Sequence, residues 1–545
     1  MFHEFVQEDN YVSRFTAAVR QNWDLPAVED YGHGGLTYSQ LAAEIEKTVL
    51  LWRAAGLKTG EKVAINARSS ANWARIFFST QVGGFVSVQI FKGFTPHDSE
   101  GLVNHSHARI LYTEKANFCM MDFGRMTYLM AAIDANTGEL LASRDSFEEV
   151  WNRRDRLFEE SYPNGFNKED LAWKEPSLSV VSAIMYTSGS TGNPKGVMLT
   201  NLNISANLYA IVRHFPYRQG ENYVSILPYS HIFGMVYDMI VPLCCGMHLV
   251  VLGLTPAPTN LIPVMKKYSP HVFFSVPLVL EKLAEAVVGD EIKKGAPYNW
   301  PAMSARFMDA LGGNVELFAS GGAAIKEDLE KLLVKKLKAP FITGYGMTEA
   351  APSISFGILD NYQMRECGKY LNEILEAKID SADGHSIPGE IMVKGPAVFK
   401  GYYKNPGATH SAFTADGWFR TGDVGIMDER GSIFIVGRCK NMILHSNGQN
   451  IFPEEIEVIL NSLPYVAESI VIEKKGKLFA IIVPKSNDVA NDNISANSLM
   501  GIMKRNIKHL NGRIPTYSPV SGFRLQYEPF AKTPKGTIKR FMYTE

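Results

Sequence analysis

The stretch Tyr186-Thr187-Ser188-Gly189-Ser190-Thr191-Gly192-Asn193-Pro194-Lys195-Gly196 holds the chain's densest set of groups that can handle phosphate. Its glycines let the backbone turn and approach a ligand where a side chain would clash. Successive amides in such a loop form an anion-binding concavity, and hydroxyls and a lysine add donors for phosphate oxygens. Thr187, Ser188, Gly189, Ser190, Thr191, Gly192 and Lys195 are therefore candidate nucleotide-binding residues. No Gly-Lys-Ser/Thr triplet stands at the spacing of a Walker loop, which excludes that class of phosphate site. A bare Ser/Gly run would be a flexible turn. The ordered Pro194-Lys195-Gly196 after a β-branched strand argues for an anion cradle instead.

A second set, Gly344-Tyr345-Gly346-Met347-Thr348-Glu349, follows the apolar run 341–343. Tyr345 offers a flat face to a purine, and the flanking glycines clear space for it. Thr348 supplies a hydroxyl suited to an α-phosphate. Glu349 supplies a carboxylate suited to Mg²⁺, a hard cation that takes oxygen ligands and often bridges protein to nucleotide phosphates. Alone, Tyr345 would be a core ring and Glu349 a solvated charge; the shared context reverses both readings.

These segments do not stand alone. Ser320-Gly321-Gly322-Ala323-Ala324, Gly401-Tyr402-Tyr403, Gly417-Trp418-Phe419-Arg420-Thr421-Gly422-Asp423, Gly437-Arg438-Cys439-Lys440 and Gly448-Gln449-Asn450 with Pro453-Glu454-Glu455-Ile456-Glu457 follow in order. Together they resemble the motifs of the adenylate-forming (AMP-binding) superfamily: acyl-CoA synthetases, beetle luciferases and peptide-synthetase adenylation domains. The resemblance runs from about residue 36 to residue 540. It implies that Gly322 and Ala323 lie against adenine, that Asp423 accepts from the ribose hydroxyls, and that Arg438 faces ribose and phosphate. Tyr345, Gly346, Thr348 and Glu349 take the base, α-phosphate and metal roles already argued. Lys440 falls at the family's hinge, about which a C-terminal domain rotates between two half-reactions. The loop at Gly448 would then face a thiol tunnel.

The segment Leu227-Pro228-Tyr229-Ser230-His231-Ile232-Phe233-Gly234 resembles the family's acid-pocket wall and places His231 near the carboxylate entrance. A lone histidine among apolar residues is as often a core residue. No acid stands there to pair with an amino group, which disfavours amino-acid substrates. This segment and Val276-Pro277-Leu278-Val279-Leu280-Glu281-Lys282-Leu283 are similar to long-chain fatty acyl-CoA synthetases. The function implied is an ATP- and Mg²⁺-dependent fatty acid–CoA ligase working through an acyl-adenylate. Alternatives are a ligase that loads a carrier protein and a catalytically weak, ligand-holding homologue.

The chain departs from the family at its end. Thr533-Pro534-Lys535-Gly536-Thr537-Ile538-Lys539-Arg540 places Thr537 where the family carries the lysine that meets carboxylate and α-phosphate. A hydroxyl cannot replace an ammonium opposite two anions. Lys535 and Lys539 share a face with position 537 in an extended segment, so either is a candidate, with Lys539 preferred.

The elements that must position these groups read as α/β. Thr37-Tyr38-Ser39-Gln40 fits a capping box, with an apolar helical stripe at Leu41, Ile45, Val49 and Trp52 and Gly56 as its exit. Strands at 62–66, 85–90 and 110–113 alternate with helices at 71–81 and 101–107, which argues for layered sheet with much parallel pairing. A second alternating block spans about 180–342, with strands at 180–186, 272–276 and 315–319. From about 377, short strands punctuated by Gly, Pro and Asp form a small β unit. Residues 450–545 read as a compact α+β module, with 485–495 as a polar loop. The expected architecture is a large N-terminal domain, 1–437, and a small mobile C-terminal domain, 438–545, hinged near 438–441.

Bulk numbers fit this reading. A chain of 545 residues exceeds what one core supports, roughly 250–300 residues. Fifty-five Lys+Arg against 56 Asp+Glu leave no general field for nucleic acid or an anionic membrane. Five cysteines fit neither a zinc site nor a disulfide framework and are expected as free thiols of a cytoplasmic protein. The N-terminus lacks the apolar segment of a signal peptide. Residues 235–254 are the most membrane-like stretch, but Asp238, Pro242, Gly246 and His248 point to a buried helix followed by a strand. Peripheral membrane contact and oligomeric state stay open.

Overall fold

The computed structural model describes residues 3–187, 194–444, 450–474, 476–514, 518–533 and 538–543, residue 450 by its backbone alone. The capping box opens the helix Tyr38–Ala54. Gln40 N donates to Thr37 Oγ1 at 3.2 Å, and Thr37 N donates to Gln40 Oε1 at 2.9 Å. Leu41, Ile45, Val49 and Trp52 are buried along its face, and Gly56 turns the chain away at φ +87°.

The largest sheet has eight strands. Lys62–Asn66, Val86–Gln89, Ala108–Thr113, Ala131–Asp134 and Val181–Thr187 run parallel at its centre. Lys195–Thr200, Gly401–Tyr402 and Leu140–Ser143 add antiparallel edges. Ligand crevices form outside the carboxyl ends of parallel strands. The strand Val181–Thr187 ends at one such edge, where Lys195 of the next strand stands opposite Thr187.

A second sheet orders Val272–Ser275, Leu317–Ser320 and Phe341–Gly346 in parallel, then Ser353–Phe356 and Lys369–Tyr370 antiparallel. Ser275, Ser320 and Thr343 lie in one register, so the glycine-rich segments after them emerge at the same edge. A third sheet of four strands joins residues 26–37 to 222–251, and a fourth, antiparallel, spans Glu376–Asp380 to Ile433–Arg438. The C-terminal domain packs the helices Pro453–Asn461 and Ala496–Asn511 on a three-stranded sheet around its own core of Leu460, Val466, Leu499 and Met503.

Two expectations change in detail. The helix placed at 101–107 begins earlier, at Pro96, because Thr95 Oγ1 accepts from Asp98 N at 3.1 Å and proline fits the first helical turn. Residues 485–495 are not all loop: Ser486–Asn491 forms a short helix. Residues 235–254 are a buried helical segment with a π turn at Val236–Ile240, followed by the strand His248–Val251. No helix among the described residues is long and apolar enough to cross a membrane. All five cysteines are free.

Candidate active site

The carboxyl ends of the two parallel sheets, the fourth sheet and the C-terminal domain surround one cavity of about 1620 Å³. Thr187, Lys195, His231, Gly322, Tyr345, Gly346, Thr348, Glu349, Arg438, Lys440 and Lys539 all line it. Segments far apart in sequence therefore present their polar groups to a common space. Ser188, Gly189, Ser190, Thr191, Gly192 and Lys535, with Thr537 and Gly448, lie outside the described residues.

Local packing explains the glycine at 346. A Cβ there would stand 2.2 Å from the Pro352 carbonyl oxygen, so only glycine lets the strand turn into Thr348–Ala350. That turn sets Glu349 at the cavity wall. Phe399 N donates to the Glu349 carbonyl at 2.8 Å, and the Tyr402 hydroxyl donates to Glu349 Oε1 at 2.9 Å. The Lys195 ammonium lies 4.8 Å from the Tyr402 ring centroid.

Asp423 is buried, and both its oxygens have partners. The Tyr345 hydroxyl donates to Oδ2 at 2.8 Å and Arg438 Nε to Oδ1 at 2.9 Å. Burial raises the Asp423 pKa, and the Arg438 guanidinium opposes that shift. The carboxylate does not itself line the cavity; Arg438 and Tyr345 stand between. The Arg438 side chain is 54% exposed, so it can swing aside for a ribose, and a carboxylate has acceptor sites to spare. Ala323 is exposed and is not part of the cavity lining; Gly322 before it has φ +78°. Gly322 alone of that pair reaches the cavity.

Part of the cavity lining is apolar and aromatic, with Phe215, Phe233, Tyr237, Phe274 and Phe356 among its residues. Their rings interlock at centroid distances such as 4.6 Å for Tyr237–Phe274 and 4.7 Å for Phe215–Phe356. His231 lines the cavity as well, its backbone N donating to Pro228 O at 3.0 Å and its ring 4.8 Å from Phe91. Gly234 lets this helix close on the preceding loop, since a Cβ would meet Pro228 O at 2.3 Å. The loop is also held from below. Buried Asp238 accepts from Ile226 N at 2.9 Å, Leu227 N at 2.8 Å and the Tyr223 hydroxyl at 2.7 Å. Burial pushes the Asp238 carboxyl up to about 6.

The C-terminal domain contributes cations. Lys539 lines the cavity, and its backbone N donates to Ala531 O at 2.8 Å. The next residue, Arg540, pairs with buried Glu457, which also accepts from Val471 N at 2.6 Å. That pair anchors the segment carrying Lys539. Lys440 is exposed, and desolvation of its ammonium together with the neighbouring Arg438 lowers its pKa.

Sequence reasoning gave no role to Tyr402, Asp238 or Arg540. Tyr402 and Arg540 belong to segments already singled out, so a signal existed for them. Asp238 had only the weak signal of a charge in an apolar run. Among the described residues no cluster of three or more His, Cys, Asp or Glu could hold a metal ion. A single carboxylate beside a phosphate site still suits Mg²⁺, which keeps waters and shares nucleotide oxygens. Glu349 and Thr348 offer hard oxygen donors of that kind at the cavity wall.

Comparison with known proteins agrees with this arrangement. Residues 15–403 match the model of the AMP-binding enzyme family, and residues 440–545 match that of the AMP-binding enzyme C-terminal domain. A long-chain-fatty-acid–CoA ligase of Mycobacterium bovis is 26% identical over 80% of this chain and 75% of its own. The 4-coumarate–CoA ligase 1 of rice, Oryza sativa, is 28% identical over 83% of this chain and 78% of its own. The fold is similar to that of the Bacillus subtilis o-succinylbenzoate coenzyme A synthetase in complex with ATP and magnesium ion. The TM-score is 0.74 and the identity 21%, covering 98% of each chain. With a family model covering most of its length and a cavity built from that family's motifs, the chain belongs to the AMP-binding enzymes and carries their C-terminal domain.

Proposed function

We propose that this protein is an ATP- and Mg²⁺-dependent ligase that joins a fatty acid to coenzyme A through an acyl-adenylate. One observation carries the reading: a single cavity is lined by Lys195, Thr348 and Glu349, by a set of aromatic apolar residues, by His231, and by Lys539 of the C-terminal domain. The polar half suits a nucleotide triphosphate. The apolar half suits the tail of a carboxylic acid and has no charged side chain in the wall described above.

The chemistry follows from the poor leaving ability of carboxylate oxygen. The acid's oxygen attacks the α-phosphorus of ATP, the bond to pyrophosphate breaks, and a mixed anhydride forms. Glu349 and Thr348 would hold Mg²⁺, which supplies neutralisation of phosphate charge when bound. Lys195 and the backbone of its loop orient the phosphates, and Lys539 brings an ammonium to the place where carboxylate and α-phosphate meet. Donors fixed in advance act most strongly where charge develops. The thiol sulfur of coenzyme A then attacks the acyl carbon and AMP leaves. Lys440 is the pivot proposed for the exchange between these steps, with domains 1–437 and 438–545 on either side.

Fatty acid as substrate is supported by the aromatic lining and by the resemblance of residues 227–234 and 276–283. The test supplies ATP, Mg²⁺ and coenzyme A with saturated acids of increasing length and with aromatic acids, and scores thioester by mass. Acyl-CoA from fatty acids is expected. Thioester from aromatic acids alone would overturn the substrate, and acyl transfer only to an added carrier protein would overturn coenzyme A as acceptor.

A further inference from the structure

Tyr402 touches two charged groups of the cavity lining at once, the Glu349 carboxylate and the Lys195 ammonium. It sits on the edge strand Gly401–Tyr402, paired opposite Val197 of the strand that begins at Lys195. Its backbone N donates to Thr409 Oγ1 at 2.9 Å, and its ring packs against Phe399 with centroids 4.9 Å apart. Only 8% of the residue is exposed. From this fixed seat the hydroxyl reaches Glu349 Oε1 at 2.9 Å, and the face of the ring receives the Lys195 ammonium at 4.8 Å.

We infer that Tyr402 is a positioning residue that sets the Glu349 carboxylate for the metal and the Lys195 ammonium for the phosphates from one rigid ring. The inference rests on the reading of the cavity as a Mg²⁺–ATP site. The hydroxyl fixes the carboxylate's orientation while using one of its roughly four acceptor sites. The ring holds the ammonium by an attraction of roughly cation–π strength, weak enough to yield to phosphate oxygens and strong enough to order a flexible side chain. A purely packing tyrosine would need neither polar contact.

The test separates hydroxyl from ring by equilibrium binding of ATP with Mn²⁺ as a paramagnetic probe, read by electron spin resonance, and of ATP alone in chelator. Tyr402→Phe keeps the ring. It should weaken Mn²⁺ binding in the ATP complex about tenfold, with metal-free ATP binding and the unfolding midpoint unchanged. Tyr402→Leu should also weaken metal-free ATP binding, by about threefold or more. In a Glu349→Gln background, Tyr402→Phe should add no further loss of Mn²⁺, because the hydroxyl acts through that carboxylate. Wild-type Mn²⁺ affinity in a folded Tyr402→Phe variant overturns the inference. So does a loss that persists unchanged in the Glu349→Gln background, or one that tracks a fall in stability. If the wild-type protein binds no Mn²⁺–ATP, the nucleotide reading itself fails and the inference falls with it.

Discussion

Changing Glu349 to glutamine keeps shape and removes charge, which isolates the proposed metal role to one atom pair. Glu349→Gln should lower pyrophosphate release about 100-fold or more, where each tenfold loss is about 1.4 kcal/mol of transition-state stabilisation. Near-normal turnover at limiting Mg²⁺ would remove that role. Lys539→Ala should cut adenylation while leaving thioester formation from synthetic acyl-adenylate nearly intact. Thr537→Lys should restore adenylation to that variant by returning an ammonium to the family position. If Lys539→Ala adenylates normally, Lys195 and Lys535 are the next cations to remove. The motif residues were legible in the sequence because their chemistry is their identity: a glycine with no room for a Cβ, a carboxylate, a lysine. Tyr402 was not, because a tyrosine in a strand is by default a core ring. Lys195 becomes its neighbour only through the pairing of strands about 200 residues apart, and Glu349 through the turn Thr348–Ala350.

Among the elements, the loop 226–231 depends on a residue outside it. Asp238 satisfies two loop amides and the Tyr223 hydroxyl from a π turn. Asp238→Ala would leave three buried donors unpaired at about 1–3 kcal/mol each, so a loss of at least about 3 kcal/mol is expected by denaturant unfolding, with a raised KM for the acid. Asp238→Asn tests the charge. Burial holds the folded carboxyl's pKa at about 6 against 3.8, so between these values the folded state keeps a proton that the unfolded state has lost. Stability from this group is therefore full below pH 4 and falls as pH rises through 6. The Asn variant, lacking the titration, should gain on the wild type by roughly 2–3 kcal/mol between pH 4 and 7. A stability difference flat with pH would contradict the buried charge. Sequence pattern located most of these elements, because capping boxes, apolar stripes and exit glycines act locally. It missed the helix Ser486–Asn491, whose polar residues carry no apolar stripe. It also missed the start at Pro96, where cap chemistry decides the boundary.

The whole molecule poses a question of motion. Thr533, Ile538 and Lys539 line the same cavity as Thr348 and Glu349, the arrangement expected of the adenylating half-reaction. Lys440→Pro fixes φ at the proposed pivot. It should spare pyrophosphate release and depress thioester formation at least tenfold; equal loss of both in a folded variant would place the pivot elsewhere. The layered α/β architecture and the separate C-terminal core were legible as alternation and as a change of texture. How the two domains meet was not, since that rests on packing such as the helix Pro453–Asn461 against the strand Ile433–Arg438, which no local pattern announces. The central claim is an acyl-adenylate, and oxygen labelling tests it most directly. With ¹⁸O in the carboxyl group of the acid, and ATP, Mg²⁺ and coenzyme A present, one label per turnover should appear in AMP and pyrophosphate should be unlabelled. AMP free of ¹⁸O, or ADP with labelled phosphate in its place, would contradict adenylate formation.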